Sequence, residues 1–192
     1  MTQSVGTVPG PDGRPRCPWA VSTPDYLTYH DAEWGRPVRD DHGMFERLTL
    51  EAFQSGLSWI TILRKRPAFR LAFDGFDPAV IAAFADDDVD RLLGDVGIVR
   101  NRAKILATIA NARATLELPD GLAALAWSYA PKGPALPPPR VAADVPASTP
   151  ESVALAKGLR AHGFRFVGPT TAYALMQAVG MVNDHLEGCI AR

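Results

Sequence analysis

Residues 149–180 read TPESVALAKGLRAHGFRFVGPTTAYALMQAVG. Thr149 is a capping residue before Pro150-Glu151, with proline at a tolerated first-turn position, and Gly163 stands where a helix begun there would stop. A helix over roughly 151–162 is therefore predicted. Pro169 opens a second helix, running to Gly180. Between the two lies Phe-Arg-Phe-Val-Gly-Pro, with Gly168 beside the second start. Unpaired backbone N–H groups and the helix dipole at such a start favour an anion such as a phosphate. The same pattern joins many buried helix pairs, and spacing alone leaves both readings open.

Working outward, the 3.6-residue period dominates and the fold class is all-α, with Phe164 to Val167 as the one short strand-like run. Asp40 and Asp41 cap a helix whose apolar face is Met44, Phe45, Leu48, Ala52 and Phe53 and which ends near Ser55 and Gly56. Further helices are expected over Leu57 to Arg66, from Asp77-Pro78 through Phe84, from Asp86-Asp87-Asp88, and from about Asn101 to Leu116. Acidic residues at a helix start complement its dipole, so the 74–95 acidic cluster reads as structural. The Asn101 to Leu116 helix carries Arg102, Lys104 and Arg113 without an acid, which makes one side of it electropositive. Many of the 17 prolines fall in 131–150, which makes about 131–149 a surface loop.

The chain has 192 residues, with 20 Lys and Arg against 21 Asp and Glu and a formal net charge of -1. Bulk charge thus gives no attraction to a polyanion, and any nucleic-acid surface has to be regional. We expect a disordered lead-in over 1–16 and one compact helical domain over 17–192, built of two closely packed lobes. The longest apolar run, Thr171 to Val182, is broken by Gln177 and Gly180, so no membrane span is expected. The Gly- and Pro-rich start lacks the apolar core of a secretory signal, and a cytoplasmic setting follows. Two cysteines make no disulfide framework, leaving metal ligation or plain burial. Cys17 and His30 are separated by twelve residues, and His185 and Cys189 share a face if that end is helical. Two thiolates and two imidazoles would satisfy tetrahedral zinc, while chance pairing of thiols and histidines stays open. His42 and His162 read as surface residues.

Phe166-Val167-Gly168-Pro169-Thr170-Thr171-Ala172 resembles the hairpin of the helix-hairpin-helix DNA glycosylase superfamily. Gly97-Ile98-Val99-Arg100-Asn101-Arg102-Ala103-Lys104 resembles the stretch that precedes it there. Arg16-Cys17-Pro18-Trp19, Tyr29-His30-Asp31-Ala32-Glu33-Trp34-Gly35, Glu51 to Trp59, Phe164 to Thr171 and Val182-Asn183-Asp184-His185 are similar to the 3-methyladenine DNA glycosylase I family. The resemblance spans Cys17 to about Cys189. It implies excision of 3-methyladenine from alkylated double-stranded DNA. The base is flipped out, the N-glycosidic bond is hydrolysed, and an abasic site and the free base are left. It also implies one structural zinc ion, held by Cys17, His30, His185 and Cys189, that joins the two chain ends.

By the same resemblance Trp59 stacks on the base, with Tyr29, Trp34, Trp19 and Tyr26 as further base-binding aromatics. From the residues alone these rings could equally fill a core. Glu51 lies in an apolar helix stretch, where a carboxylate is costly unless it has a partner or points to solvent. The resemblance assigns it to recognising the cationic base more than to chemistry. Gly56 and Leu57 would probe the duplex. Arg165, Phe166, Val167, Gly168, Thr170 and Thr171 would grip one strand, and Arg102 and Lys104 would meet phosphates, as could Arg64, Lys65, Arg66 and Arg70. Asn183 stands where the superfamily has an aspartate, with Asp184 beside it. Pro169-Thr170-Thr171 offers no amine for a Schiff base, which implies base removal without strand cleavage. A monomer suits that task. Two other readings are a non-enzymatic sensor of abasic or distorted DNA, and a zinc hydrolase with an open metal position.

Overall fold

The computed structural model describes residues 6–134 and 137–192. Among them the helices are α1 (Pro24–Ala32), α2 (Asp41–Gln54), α3 (Trp59–Ala72), α4 (Pro78–Ala82), α5 (Asp86–Gly94), α6 (Arg102–Leu116), α7 (Gly121–Ser128), α8 (Pro150–Ala161) and α9 (Pro169–Ala178). The strands are β1 (Val8–Pro9) and β2 (Pro15–Arg16), paired antiparallel. Among the described residues no helix is long and apolar enough to cross a membrane.

The capping residue Asp40 starts α2 by accepting from the Gly43 amide at 2.7 Å. The helix packs against α3, α6, α7 and α9. It is therefore buried beyond the face that its period indicates: Met44, Phe45, Leu48, Ala52 and Phe53 are joined inside by Thr49 and Leu50. Each large apolar side chain so buried contributes about 1.5–3 kcal/mol. α3 does not stop at Arg66 but runs through Pro67 to Ala72. Burying Phe69 and Ala72 outweighs the roughly 3 kcal/mol that an internal proline costs. Phe53, Phe69 and Phe73 then build a contiguous aromatic core that continues into Phe76 and Phe84.

The two helices expected from residues 149–180 form, as α8 and α9. Thr149 accepts from the Ser152 amide, and Gly163 takes the left-handed conformation, φ +86°, just past the end of α8. Phe164 to Val167 is not a strand. Its backbone is bound to a side chain instead: Asn111 of α6 accepts from the Arg165 amide at 2.7 Å and donates to the Arg165 carbonyl at 3.1 Å. Phe164 and Val167 point inward, and Phe166 holds φ 57° with its ring exposed.

The expectation of a disordered lead-in fails for residues 6–16, which form the β1–β2 hairpin; residues 1–5 lie outside the described residues. Local charge is the reason: Arg16 is buried and its guanidinium is ion-paired with Asp12 and Asp31. The Pro-rich excursion, apart from residues 135–136, which are also outside the described set, is a loop with a short 3₁₀ turn over Ala142–Asp144. The segment 181–192 contains no helix, so His185 and Cys189 are brought together by turns rather than by one helical face.

Asn111→Ala leaves the Arg165 amide and carbonyl without these partners at the hairpin turn. Urea denaturation should read a loss of about 2–3 kcal/mol, far above the change from a substitution at the exposed Lys157, such as Lys157→Ala.

Candidate functional site

A cleft of about 210 Å³ opens between α1, α2, α3 and α9. Its aromatic walls are Trp19, Tyr26, Tyr29, Trp34 and Trp59. All five base-binding aromatics named from the sequence are thus brought together. Trp19 meets Tyr26 and Trp34 edge to face at 5.5 and 5.1 Å, and Tyr29 meets Trp59 at 5.5 Å. The Tyr26 hydroxyl accepts from the Ile60 amide at 2.9 Å, tying the α3 start that carries Trp59 to α1. Trp59 Nε1 is buried with no partner among the described residues. Burial and the neighbouring Glu51 push the Tyr29 hydroxyl well above its ordinary range.

Glu51 enters the cleft from α2 and is 6% exposed, so it does not point to solvent. It has no hydrogen bond or ion pair among the described residues. A second buried glutamate on the same helix makes the contrast: Glu46 is paired with Arg70 at 2.7 Å. Burial alone raises the Glu51 carboxyl to about 8, so it is held protonated at neutral pH. An acid that lies unpaired against aromatic faces is arranged to meet a flat, cationic ring.

The sequence reading missed three lining residues. Gln54 follows Glu51, and Gln177 follows Ala174, at helical spacing on α2 and α9. Gln177 figured there only as an interruption of an apolar run. A polar residue spaced to share a face with a small one was the available signal. Its amide donates to Asp184 Oδ2 at 2.8 Å, which also receives the Tyr173 hydroxyl at 2.6 Å. Asn183 is exposed, with its side chain turned back to the His185 amide.

Around the cleft, Gly56 adopts φ +82°, which strains any other residue, and Leu57 is exposed beside it. Arg165, Phe166 and Thr170 are exposed on the α8–α9 turn, Gly168 and Thr171 are half-buried, and no atom lies close to where a Gly168 side chain would begin. Val167 is inside, so only its backbone faces outward. Lys104 does not reach a phosphate surface. Its ammonium is buried and donates to the Phe53 and Ser55 carbonyls at 2.8 and 2.7 Å. There it satisfies carbonyls that the end of α2 leaves free and complements that end of the dipole. Arg66 pairs with Glu33, Arg70 with Glu46, Arg64 with Asp25 and Arg102 with Asp90, and Lys65 donates to the Val96 and Gly97 carbonyls. Acids distant in sequence explain why these cations looked free.

Cys17, His30, His185 and Cys189 are all buried, with their ligand atoms within 4.8 Å of one another. His30 Nδ1 donates to Asp31 Oδ1 at 2.8 Å, and His185 Nε2 donates to the Trp34 carbonyl at 3.3 Å. Burial lowers both imidazoles, His185 to about 4, so each ring is neutral. The nitrogens left facing each other, His30 Nε2 and His185 Nδ1 at 3.1 Å, therefore both carry lone pairs. Two bare acceptors cannot bond to each other, whereas a cation between them resolves the conflict. Cys189 Sγ lies 3.4 and 3.7 Å from these nitrogens and Cys17 Sγ 4.0 Å from His185 Nδ1. Metal–ligand bonds of roughly 2.0–2.3 Å in a tetrahedron need donors about that far apart. The donor set fits a four-coordinate metal ion. His42 and His162 are exposed.

The site thus joins five aromatic residues and one buried, unpaired acid, beside the exposed α8–α9 turn. Residues 19–192 match the methyladenine glycosylase family, and the chain belongs to that family. DNA-3-methyladenine glycosylase 1 of Escherichia coli (strain K12) is 45% identical over 177 residues, which span 91% of this chain and 95% of the relative. DNA-3-methyladenine glycosylase of Haemophilus influenzae is 42% identical over 177 residues, spanning 91% and 96%. The chain is also similar to a crystal structure of 3-methyladenine DNA glycosylase I, with a TM-score of 0.88 at 47% identity, covering 92% of this chain and 99% of that one. The Staphylococcus aureus 3-methyladenine DNA glycosylase I, described for its recognition of 3-methyladenine, matches with a TM-score of 0.86 at 34% identity, covering 92% and 95%.

The Glu51 carboxyl has a direct effect on stability. Between the ordinary 4.5 and the folded value of about 8, the folded chain holds a proton that the unfolded chain has lost, so stability falls as pH rises through that window. Glu51→Gln stays neutral throughout. Its unfolding free energy, read by urea denaturation, should equal the parent's below pH 4.5 and exceed it above pH 8, the gap reaching at most about 5 kcal/mol. Parallel pH profiles would refute this.

Proposed function

We propose that this chain excises 3-methyladenine from alkylated double-stranded DNA as a monofunctional glycosylase, leaving an abasic site and an uncut strand. The observation that carries the reading is the unpaired Glu51 carboxyl inside a cleft walled by five aromatic rings. The names of the relatives, and a neighbour described in complex with 3-methyladenine, supply the base.

The α8–α9 turn grips one strand through Arg165, Thr170, Thr171 and the backbone around Val167 and Gly168, and the nucleotide flips into the cleft. Leu57, on the Gly56 loop that Lys104 holds, fills the step that the base has left. Methylation at the minor-groove nitrogen makes the base a cation, which stacks on Trp59 and favours the ionised form of Glu51, whose proton is released to solvent. An ion pair then replaces a neutral acid, and an uncharged adenine gains neither effect.

As the glycosidic bond breaks, its electron pair moves to the base, which leaves neutral, and positive charge passes to the sugar. Glu51 therefore stabilises the reactant at least as much as the transition state, and its role is selection. Water adds to the sugar carbon and releases its proton to solvent. Asp184 is engaged by Tyr173 and Gln177 and acts by fixing Gln177 in the cleft wall. The cleft lining contains no lysine, and the hairpin start is Pro169-Thr170-Thr171, so no amine is placed to form a Schiff base. Cys17, His30, His185 and Cys189 would hold one zinc ion, whose contribution is to clasp the two ends of the chain. Four protein donors leave it no open position for hydrolysis.

Chromatography of bases released from methylated duplex DNA tests this reading. Free 3-methyladenine should appear well ahead of 7-methylguanine, with strands intact until alkali is added. Trp59→Ala should lower kcat/KM by about 10- to 100-fold, the worth of one stacking contact. Tight binding to abasic DNA with no base released would favour the sensor instead.

A further inference from the structure

Residues 6–16 precede the family match, which begins at residue 19, yet they are built onto the Cys and His cluster. Arg16 is the link. Its side chain is buried, and its guanidinium bridges two carboxylates. Nε and Nη2 donate to Asp31 at 3.0 and 2.8 Å, and Nη2 also donates to Asp12 Oδ2 at 2.9 Å. Asp31 in turn accepts from His30 Nδ1, which presents the bare His30 Nε2 to the cluster. Asp12 belongs to the β1–β2 turn, where its side chain also accepts from the Arg14 amide. Gly10 is needed for this closure, since a side chain there would run into the Arg16 guanidinium. The same hairpin reaches the other end of the cluster: the Pro15 carbonyl accepts at 3.0 Å from the amide of Ile190, next to Cys189.

We propose that residues 6–16 act as a strap that retains the metal of the Cys17, His30, His185 and Cys189 cluster, working through the chain Asp12, Arg16, Asp31, His30. Asp12 and Arg16 are positioning residues and take no part in base removal. The proposal rests on the reading of the cluster as a zinc site. The physical basis is that a partner on the far nitrogen of a histidine ligand fixes its tautomer and ring orientation, and loss of such a partner typically lowers metal affinity about 10- to 100-fold. A bidentate guanidinium held from both sides keeps Asp31 from turning away from His30.

The test is transfer of zinc from the loaded full-length protein to an excess of a chromophoric chelator, followed by absorbance after zinc content is measured. The parent should carry one zinc per chain and release it slowly. Asp12→Asn and Arg16→Lys should release it at least about tenfold faster, and a chain lacking residues 1–12 faster again. With zinc in excess, all should keep the parent's melting temperature to within a few degrees and its release of 3-methyladenine. Release rates equal to the parent's in both full-length variants would overturn the strap, whether or not the truncated chain folds. A fall in melting temperature under excess zinc with unchanged release would mark a merely structural hairpin and overturn it equally. A parent that carries no zinc would instead overturn the reading of the cluster on which the strap rests.

Discussion

A carboxyl without a partner is held inside a helix that is buried on nearly every side. α2 supplies much of the apolar core, and its contacts with α3, α6, α7 and α9 fix it on all flanks. Glu51 is thereby held on the cleft wall, almost wholly out of water. The cost of desolvating an acid is therefore met by keeping it neutral, and burial among the tryptophan and tyrosine rings of the cleft, rather than any polar network, sustains that state. Glu46 has Arg70 as counterion in a structural ion pair. Two glutamates on one helix thus have opposite electrostatic roles, and the difference lies in what packs against each.

Rigidity around that acid comes from polar side chains that bind backbone. Lys104 holds the end of α2 and the Gly56 loop, Asn111 holds the α8–α9 turn, and the Tyr26 hydroxyl holds the start of α3. Each satisfies backbone groups that the helix ends or turns leave free. The probe loop, the hairpin and the stacking tryptophan are consequently fixed to the same core. Alignment of these elements with the cleft does not have to be created when DNA arrives.

The capping residues and prolines made most helices legible in the sequence: Asp40, Thr149, Pro150, Gly163 and Pro169 all do what their types predict, because each acts within one turn of itself. The aromatic residues and the Cys and His set were legible through family resemblance, not through pattern. Errors arose where long-range partners intervene. Lys104 read as part of an electropositive face, yet its amine is turned inward to carbonyls far back along the chain. Residues 6–16 read as disordered because Gly and Pro dominate them, and the Arg16 pairing with Asp31 that orders them joins separate segments. The helix expected over Leu57 to Arg66 runs on to Ala72, because packing of Phe69 carries α3 through Pro67.

The sequence by itself determined where most helices begin and which side chains are available, since caps, proline and the 3.6-residue period act between near neighbours. Tertiary structure alone decided that Glu51 has no counterion, that Gln54 and Gln177 face it, and that two lone-pair nitrogens of His30 and His185 meet beside two thiols. Those facts depend on burial and on groups brought together from opposite ends of the chain. Charge, tautomer and metal affinity are set by those surroundings and not by residue type.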